Sequence, residues 1–167
     1  MDATVLGPRA VAAREHAARM ADRNNDRVGS LPAEPSSVLR SLDRLVGRWT
    51  ISGGFFEGSI AFEWMEGGFF LVQHVDARAG GQRVKGIEYI GFDEETQSLR
   101  SHYMDVHGAN FAYAWELDGD SLRIWFGDRG SDTRFEGRFG PDGDSYVGRW
   151  EWPGGGYEVV ATRVRDP

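Results

Sequence analysis

The fold is decided by residues 109–126, ANFAYAWELDGDSLRIWF, in which two segments of alternating apolar residues flank a short polar turn. Side chains along a strand point alternately to opposite faces of a sheet, so each segment presents one apolar face. The Asp118-Gly119-Asp120 sequence between the segments predicts an antiparallel hairpin. The apolar residues at every second position are Phe111, Tyr113, Trp115 and Leu117 before the turn, and Leu122, Ile124 and Phe126 after it.

The same pattern extends in both directions from this hairpin, beginning at Arg48. Turn sequences rich in Gly and Asp recur every 10 to 15 residues, and no helical pattern interrupts them. A sheet with one apolar face buries that face, and loses its exposed edges, most simply by closing on itself. We therefore predict an all-β fold, an antiparallel up-and-down barrel of about ten strands. The predicted strands are 47–55, 58–66, 69–78, 83–92, 97–106, 109–117, 121–127, 132–139, 144–152 and 157–165.

The first 34 residues differ from the rest of the chain in composition. Residues 8–23 are rich in Ala and Arg, which favour helix, but they offer few apolar side chains for packing. Asn, Gly, Ser and Pro residues follow and break any helix. We predict that residues 1–34 form a loosely held helical extension and linker, and that residues 35–167 form the barrel domain.

A better specified helix is predicted directly before the first strand. Ser36 or Ser37 can accept a backbone N–H at the helix N-terminus. The apolar residues that follow at helical spacing are Val38, Leu39, Leu42, Leu45 and Val46. This pattern predicts a short helix over about 37–46 that closes one end of the barrel.

The composition excludes several classes of protein. The chain has 19 basic and 26 acidic residues, a formal net charge of −7, and no cysteine. Disulfides, a thiolate nucleophile and Cys-ligated zinc or iron–sulfur sites are therefore excluded. The acidic balance argues against a nucleic-acid partner. No apolar stretch approaches the roughly 18 residues of a membrane span, and no signal peptide is evident, so we expect a cytoplasmic protein.

Two stretches of the sequence carry a resemblance to known proteins. Gly47-Arg48-Trp49, between the predicted helix and the first strand, resembles the Gly-x-Trp signature of lipocalins and related calycins. In that superfamily the Trp seals the narrow end of the barrel, and an Arg of the last strand lies across it. The resemblance therefore implies these barrel-closing roles for Trp49 and Arg163.

The middle of the chain is similar to a narrower group. Residues 86–93 (GIEYIGFD), followed by Tyr103-Met104-Asp105 and Gly108, resemble the uncharacterised bacterial lipocalin-like family DUF1579. The resemblance covers roughly residues 38–165 and implies a calycin barrel. It implies no particular ligand, because that family has no settled activity.

A calycin barrel encloses a cavity lined by inward-facing side chains. A Glu88 buried among apolar neighbours would have a raised pKa and could serve as a general acid or base. In the alternative, a bulge turns Ile87 and Tyr89 inward and leaves Glu88 in water. The candidate catalytic groups are Glu88, Gln73 and Tyr103. The full set of predicted ligand-binding residues is Trp64, Leu71, Gln73, Glu88, Tyr103, Tyr113, Trp115, Phe126 and Trp150.

The turn at Gly67-Gly68 decides whether Gln73 or His74 faces the lumen. A two-residue turn sets Trp64 opposite Leu71 and points Gln73 inward, whereas a three-residue turn through Glu66 points His74 inward. Gly-Gly suits a two-residue turn, so we predict Gln73 in the lumen.

The histidines do not support a metal or haem site. His16 lies in the N-terminal extension, His102 is expected to be exposed, and no two histidines stand at metal-ligand spacing. Some calycin barrels, the nitrobindin-like proteins, hold haem through a histidine on a late strand, but no histidine follows His107 here. We predict no metal and no cofactor. Asp105 is expected to cap the turn at His107-Gly108.

Three functional hypotheses follow from the predicted cavity. The first is a protein that binds a small, largely apolar or aromatic molecule in the barrel. The second is a cofactor-free isomerase or cyclase that acts in the same cavity. The third is a barrel with a filled core whose outer face forms a homodimer. Only the first two predict an open cavity lined with aromatic residues.

Overall fold

The computed structural model describes residues 30–165; the predicted N-terminal helical extension lies outside the described residues. The described chain forms one short helix and ten antiparallel strands, which confirms the predicted all-β fold. A 3₁₀ helix, Ser37–Leu45, precedes the strands. The strands are β1 Gly47–Ser52, β2 Phe56–Trp64, β3 Phe70–Ala79, β4 Gln82–Asp93, β5 Ser98–Asp105, β6 Asn110–Asp118, β7 Ser121–Phe126, β8 Arg134–Phe139, β9 Ser145–Trp152 and β10 Gly155–Arg163.

The strands form a closed up-and-down barrel. Each strand pairs with its neighbours in sequence, and β1 also pairs with β10, so the sheet has no free edge. Each predicted strand overlaps an observed one. Glycines with positive φ stand in many of the tight turns, as at Gly67 and Gly68, where only glycine adopts the left-handed conformation without cost.

The helix is a 3₁₀ helix, and its period explains which residues it buries. Leu39, Leu42 and Leu45 are almost completely buried. A 3₁₀ helix has three residues per turn, so side chains three positions apart lie on one face. The prediction that Val38 belongs to this apolar face is wrong, because this residue is exposed. The Ser36 hydroxyl accepts a hydrogen bond from the Val38 N–H at 3.3 Å and caps the helix.

Trp49 lies at the end of the barrel that the helix closes. Its side chain is fully buried, and its Nε1 donates a hydrogen bond to the Leu45 carbonyl at 2.7 Å. The centroids of the Phe139 and Tyr146 rings lie 6.2 and 5.3 Å from that of Trp49. These contacts hold the helix and the first strand together at this end.

Arg163 lies across the Trp49 ring, in the position that the sequence resemblance implies. Its guanidinium carbon is 4.2 Å from the centroid of the Trp49 ring. The guanidinium donates to the Arg44 carbonyl at 2.7 Å and to the Val46 carbonyl, and its Nε pairs with Asp144 at 3.0 Å. Arg163 therefore joins the last strand to the helix and to the start of β1.

The glycine of the Gly47-Arg48-Trp49 sequence is required by this closure. Gly47 has a φ of 120°, which residues with a side chain rarely adopt. A Cβ at this position would also lie 2.9 Å from Arg163 Nη1. Any larger residue would therefore strain the backbone and displace the guanidinium from its hydrogen bonds.

Candidate ligand-binding cavity

A cavity of about 420 Å³ occupies the barrel between the helix and the opposite end. Leu45 of the helix lines its base. Phe111, Phe126 and Trp152 line it at the other end, where each of the three side chains is about two-fifths exposed. The volume falls within the range of small-molecule sites, which is roughly 300–1,000 Å³. The core of this barrel is therefore not filled by its own side chains.

One side of the cavity carries polar groups in register on adjacent strands. Gln73 on β3 stands directly opposite Glu88 on β4, and Glu88 stands directly opposite Tyr103 on β5. Residues paired in this way have Cβ atoms about 4.5–5.5 Å apart. We call Gln73, Glu88 and Tyr103 the polar row. All three line the cavity.

The other side of the cavity is formed by aromatic rings from β6 to β10. We call Tyr113, Phe126, Phe135, Trp150 and Tyr157 the aromatic wall; all five line the cavity. Four of the rings are in contact in sequence: the Tyr113 centroid lies 5.5 Å from that of Phe126, and the Trp150 centroid lies 6.0 Å from that of Tyr113 and 5.8 Å from that of Phe135. Tyr157 stands opposite Trp150 on the neighbouring strand. Contacts of this kind fix the orientation of each ring, so the wall is a preformed surface.

Two glycines leave the space that the Phe135 ring occupies. Gly137 and Gly148 face each other across β8 and β9, and a Cβ on Gly148 would lie 2.3 Å from Phe135 Cζ. The ring thus covers the backbone of both glycines. A similar relation holds on the polar side, where a Cβ on Gly86 would lie 2.5 Å from the Tyr103 hydroxyl oxygen.

Glu88 is held by two hydrogen-bond donors behind the cavity surface. The Ser101 hydroxyl donates a short hydrogen bond to Glu88 Oε1, and Trp115 Nε1 donates to the same oxygen at 3.2 Å. Trp115 Nε1 also lies 2.9 Å from Ser101 Oγ. Both bonds end on Oε1, and no described residue is hydrogen-bonded to Oε2. Since Glu88 lines the cavity, Oε2 is the oxygen available to a ligand.

Burial changes the acidity of Glu88. The side chain is only 5% exposed, and loss of hydration raises its pKa from 4.5 to about 7, although the bonds from Ser101 and Trp115 oppose this shift. At neutral pH both protonation states of Glu88 are therefore populated. This carboxyl can donate or accept a proton at the pH of a cell.

The other two members of the polar row also have unused hydrogen-bonding capacity. The Tyr103 hydroxyl is buried and has no hydrogen-bond partner among the described residues. The Gln73 amide has no hydrogen bond to another described side chain or backbone group either. Buried polar groups are normally paired. The polar row therefore offers three groups to a bound molecule.

The structure brings together most of the predicted ligand-binding residues, but not all of them. Those that line the cavity are Gln73, Glu88, Tyr103, Tyr113, Trp115, Phe126 and Trp150. Trp64 and Leu71 are not among the residues that line the cavity. They face each other at the closed end, where Leu71 is fully buried in the core and Trp64 Nε1 donates to Asp43 of the helix at 2.9 Å.

The hairpin register predicted from Gly67-Gly68 agrees with the structure. Trp64 pairs with Leu71, so Gln73 faces the cavity and His74 faces outward, where its Nε2 lies 2.9 Å from Glu63 Oε1. The alternative in which a bulge exposes Glu88 is contradicted by its burial.

Neither the remaining histidines nor the carboxylates form a metal centre in the described part of the chain. Within residues 30–165 no three His, Asp or Glu side chains group as metal ligands. His107 Nε2 contacts the Arg83 carbonyl at 2.7 Å, and His16 lies outside the described residues. Asp105 Oδ1 accepts from the His107 N–H at 2.8 Å and from the Ala109 N–H at 3.0 Å, as expected for a turn cap.

Several residues of the site were not predicted from the sequence. Ser101 shares the inward face of β5 with Tyr103, but nothing in its spacing identified it as the partner of Glu88. Phe135 and Tyr157 have the inward parity of their strands, which could have identified them. Asp105 was expected only in its turn, yet it also lines the cavity.

Two comparisons with known proteins identify no relative. A scan against models of protein families finds no match, and a search of curated proteins finds none either. Among the described residues, no helix has the length and apolar character needed to cross a membrane. The geometry of the cavity is therefore the basis for assigning a function.

Proposed function

We propose that this protein binds a small, largely apolar, aromatic molecule in the barrel cavity. The observation that carries the proposal is the division of the cavity into an aromatic wall and a polar row with free hydrogen-bonding groups. Burial against the rings supplies most of the binding free energy, at about 25 cal/mol per Å² of apolar surface. Hydrogen bonds from the polar row orient the molecule.

The unpartnered groups favour a ligand over a purely structural barrel. A buried polar group without a partner costs about 1–3 kcal/mol of stability. A ligand that pairs with the Tyr103 hydroxyl and Glu88 Oε2 removes part of that cost. A filled-core barrel that acts through a homodimer interface gives no reason for the cavity or for these groups.

We also propose that the chain is a calycin-type barrel related to the DUF1579 family. The Gly47-Arg48-Trp49 sequence and the position of Arg163 over the Trp49 ring support the calycin barrel. Residues 86–93, followed by Tyr103-Met104-Asp105 and Gly108, support the narrower family. A cytoplasmic location and the absence of a nucleic-acid partner stay predictions from the sequence.

The second candidate function is a cofactor-free isomerase or cyclase. Glu88 favours it, because Oε1 is fixed by Ser101 and Trp115 while Oε2 is free to exchange a proton with a bound molecule. If this function is right, the molecule extracted from the purified protein should incorporate deuterium when it is incubated with the protein in D₂O. Glu88→Gln should abolish that incorporation. If the unmodified protein causes no incorporation, the isomerase or cyclase function fails and only the binding function remains.

Titration with N-phenyl-1-naphthylamine, a neutral fluorescent probe, tests the binding function. One probe per chain should bind and quench tryptophan emission. Trp150→Ala should weaken binding by roughly tenfold, since a large aromatic surface is lost from the wall. Tyr89→Ala, on the outer face of β4, is the control and should leave the affinity unchanged. Equal affinities for both variants would show that the probe binds elsewhere.

A further inference from the structure

The charged residues that line the cavity are both acidic. Glu88 and Asp105 both line it, and none of its described lining residues is Lys, Arg or His. Glu88 is 5% exposed, so water screens its charge poorly. A bound carboxylate or phosphate would meet this negative charge without a cation to balance it.

The aromatic wall can also attract a cation. The face of an aromatic ring is negative, and cations bind over Trp, Tyr and Phe faces in clusters of such rings. Trp150, Tyr113 and Tyr157 lie on the side of the cavity that faces the polar row. Burial raises the pKa of the Tyr113 hydroxyl, and the charges of Glu88 and Asp105 raise it further.

The available atoms suit an ammonium group. Glu88 Oε2 has no hydrogen bond from the described residues. The Tyr103 hydroxyl oxygen, which lies against Gly86 of β4, has none either. Asp105 uses Oδ1 for its two backbone N–H partners. An ammonium group has only N–H donors, and these oxygens can act as acceptors, so the two are complementary.

We propose that the ligand is an organic cation, an arylalkylamine whose ammonium pairs with Glu88 while its ring packs on the aromatic wall. This inference rests on the proposed binding function and names its ligand class. It excludes aromatic carboxylates as the preferred ligands.

Three probes of similar shape and different charge test the inference: 2-naphthylmethylamine, 2-naphthylmethanol and 2-naphthoate. At about pH 8 the amine is protonated, and Glu88, with its pKa of about 7, is mostly ionised. Calorimetric titration should give an affinity about tenfold higher for the amine than for the alcohol, and the weakest binding for the carboxylate. Glu88→Gln should reduce the amine-to-alcohol ratio to about one, whereas Glu158→Gln, an exposed carboxylate on β10, should preserve it.

The outcomes separate this inference from the function on which it rests. If the alcohol or the carboxylate binds as tightly as the amine to the unmodified protein, the cation preference is overturned and the cavity remains a binding site. If none of the three probes binds, the proposed binding function itself fails. Circular dichroism of Glu88→Gln confirms that a changed ratio does not come from unfolding.

Discussion

Trp49→Ala should lower the free energy of unfolding by about 3–5 kcal/mol, because it empties a fully buried site at the closed end of the barrel. The variant also removes the ring under the Arg163 guanidinium, a contact worth about 1–2 kcal/mol when partly desolvated. Together these losses should reduce the melting temperature by roughly 10–20 °C. Urea denaturation of the variant and the unmodified protein measures the difference directly.

The matched control for Trp49 is Trp152, a tryptophan at the open end of the barrel. Its side chain is 40% exposed. Trp152→Ala should therefore lower the free energy of unfolding by much less than half of the loss expected for Trp49→Ala. The comparison separates sealing of the barrel from the general effect of losing a tryptophan. Similar losses for the two variants would contradict the role assigned to Trp49 and Arg163.

Glu88→Gln should stabilise the protein increasingly as the pH rises from about 5.5 to 8, by about 2 kcal/mol relative to the unmodified protein. In the folded state the pKa of Glu88 is about 7, against 4.5 for an unperturbed side chain. Between these values the unfolded chain releases the proton and the folded chain retains it. Rising pH therefore favours unfolding of the unmodified protein, and this penalty levels off at about pH 8.

Glutamine is a suitable replacement because its carbonyl oxygen can still accept the bonds from Ser101 and Trp115. It has no proton to release in this range, so the penalty disappears. Glu158→Gln controls for the loss of one negative charge and should show no comparable trend. A stability difference between Glu88→Gln and the unmodified protein that does not change with pH would mean that Glu88 is not desolvated in the folded state.

Alternation of apolar residues predicted the face of the sheet on which each side chain lies. Gly67-Gly68 fixed the hairpin register and so placed Gln73 inside and His74 outside, because a one-residue slip would have reversed both. The same reasoning left two alternatives for Glu88, since both faces of β4 carry apolar residues. Only the closed barrel distinguishes them.

Alternation could not predict how far along the barrel each inward side chain lies. That position depends on the tilt and stagger of the strands, which a sequence pattern does not specify. Trp64 and Leu71 stand opposite each other on β2 and β3, yet neither is among the residues that line the cavity, and Trp64 is hydrogen-bonded to Asp43 of the helix. Ser101 was missed for a related reason, because its contact with Glu88 depends on the positions of side chains on neighbouring strands.

The central claim, that the barrel cavity is the binding site, is tested most directly by blocking it. Ile124 lines the cavity, and Ile124→Trp should fill part of it, whereas Val147→Trp places the same bulk on the exposed outer face. Titration with N-phenyl-1-naphthylamine should show one site per chain in the unmodified protein and in Val147→Trp, and none in a cooperatively folded Ile124→Trp. Equal binding by all three proteins, or no binding by the unmodified protein, would contradict the claim.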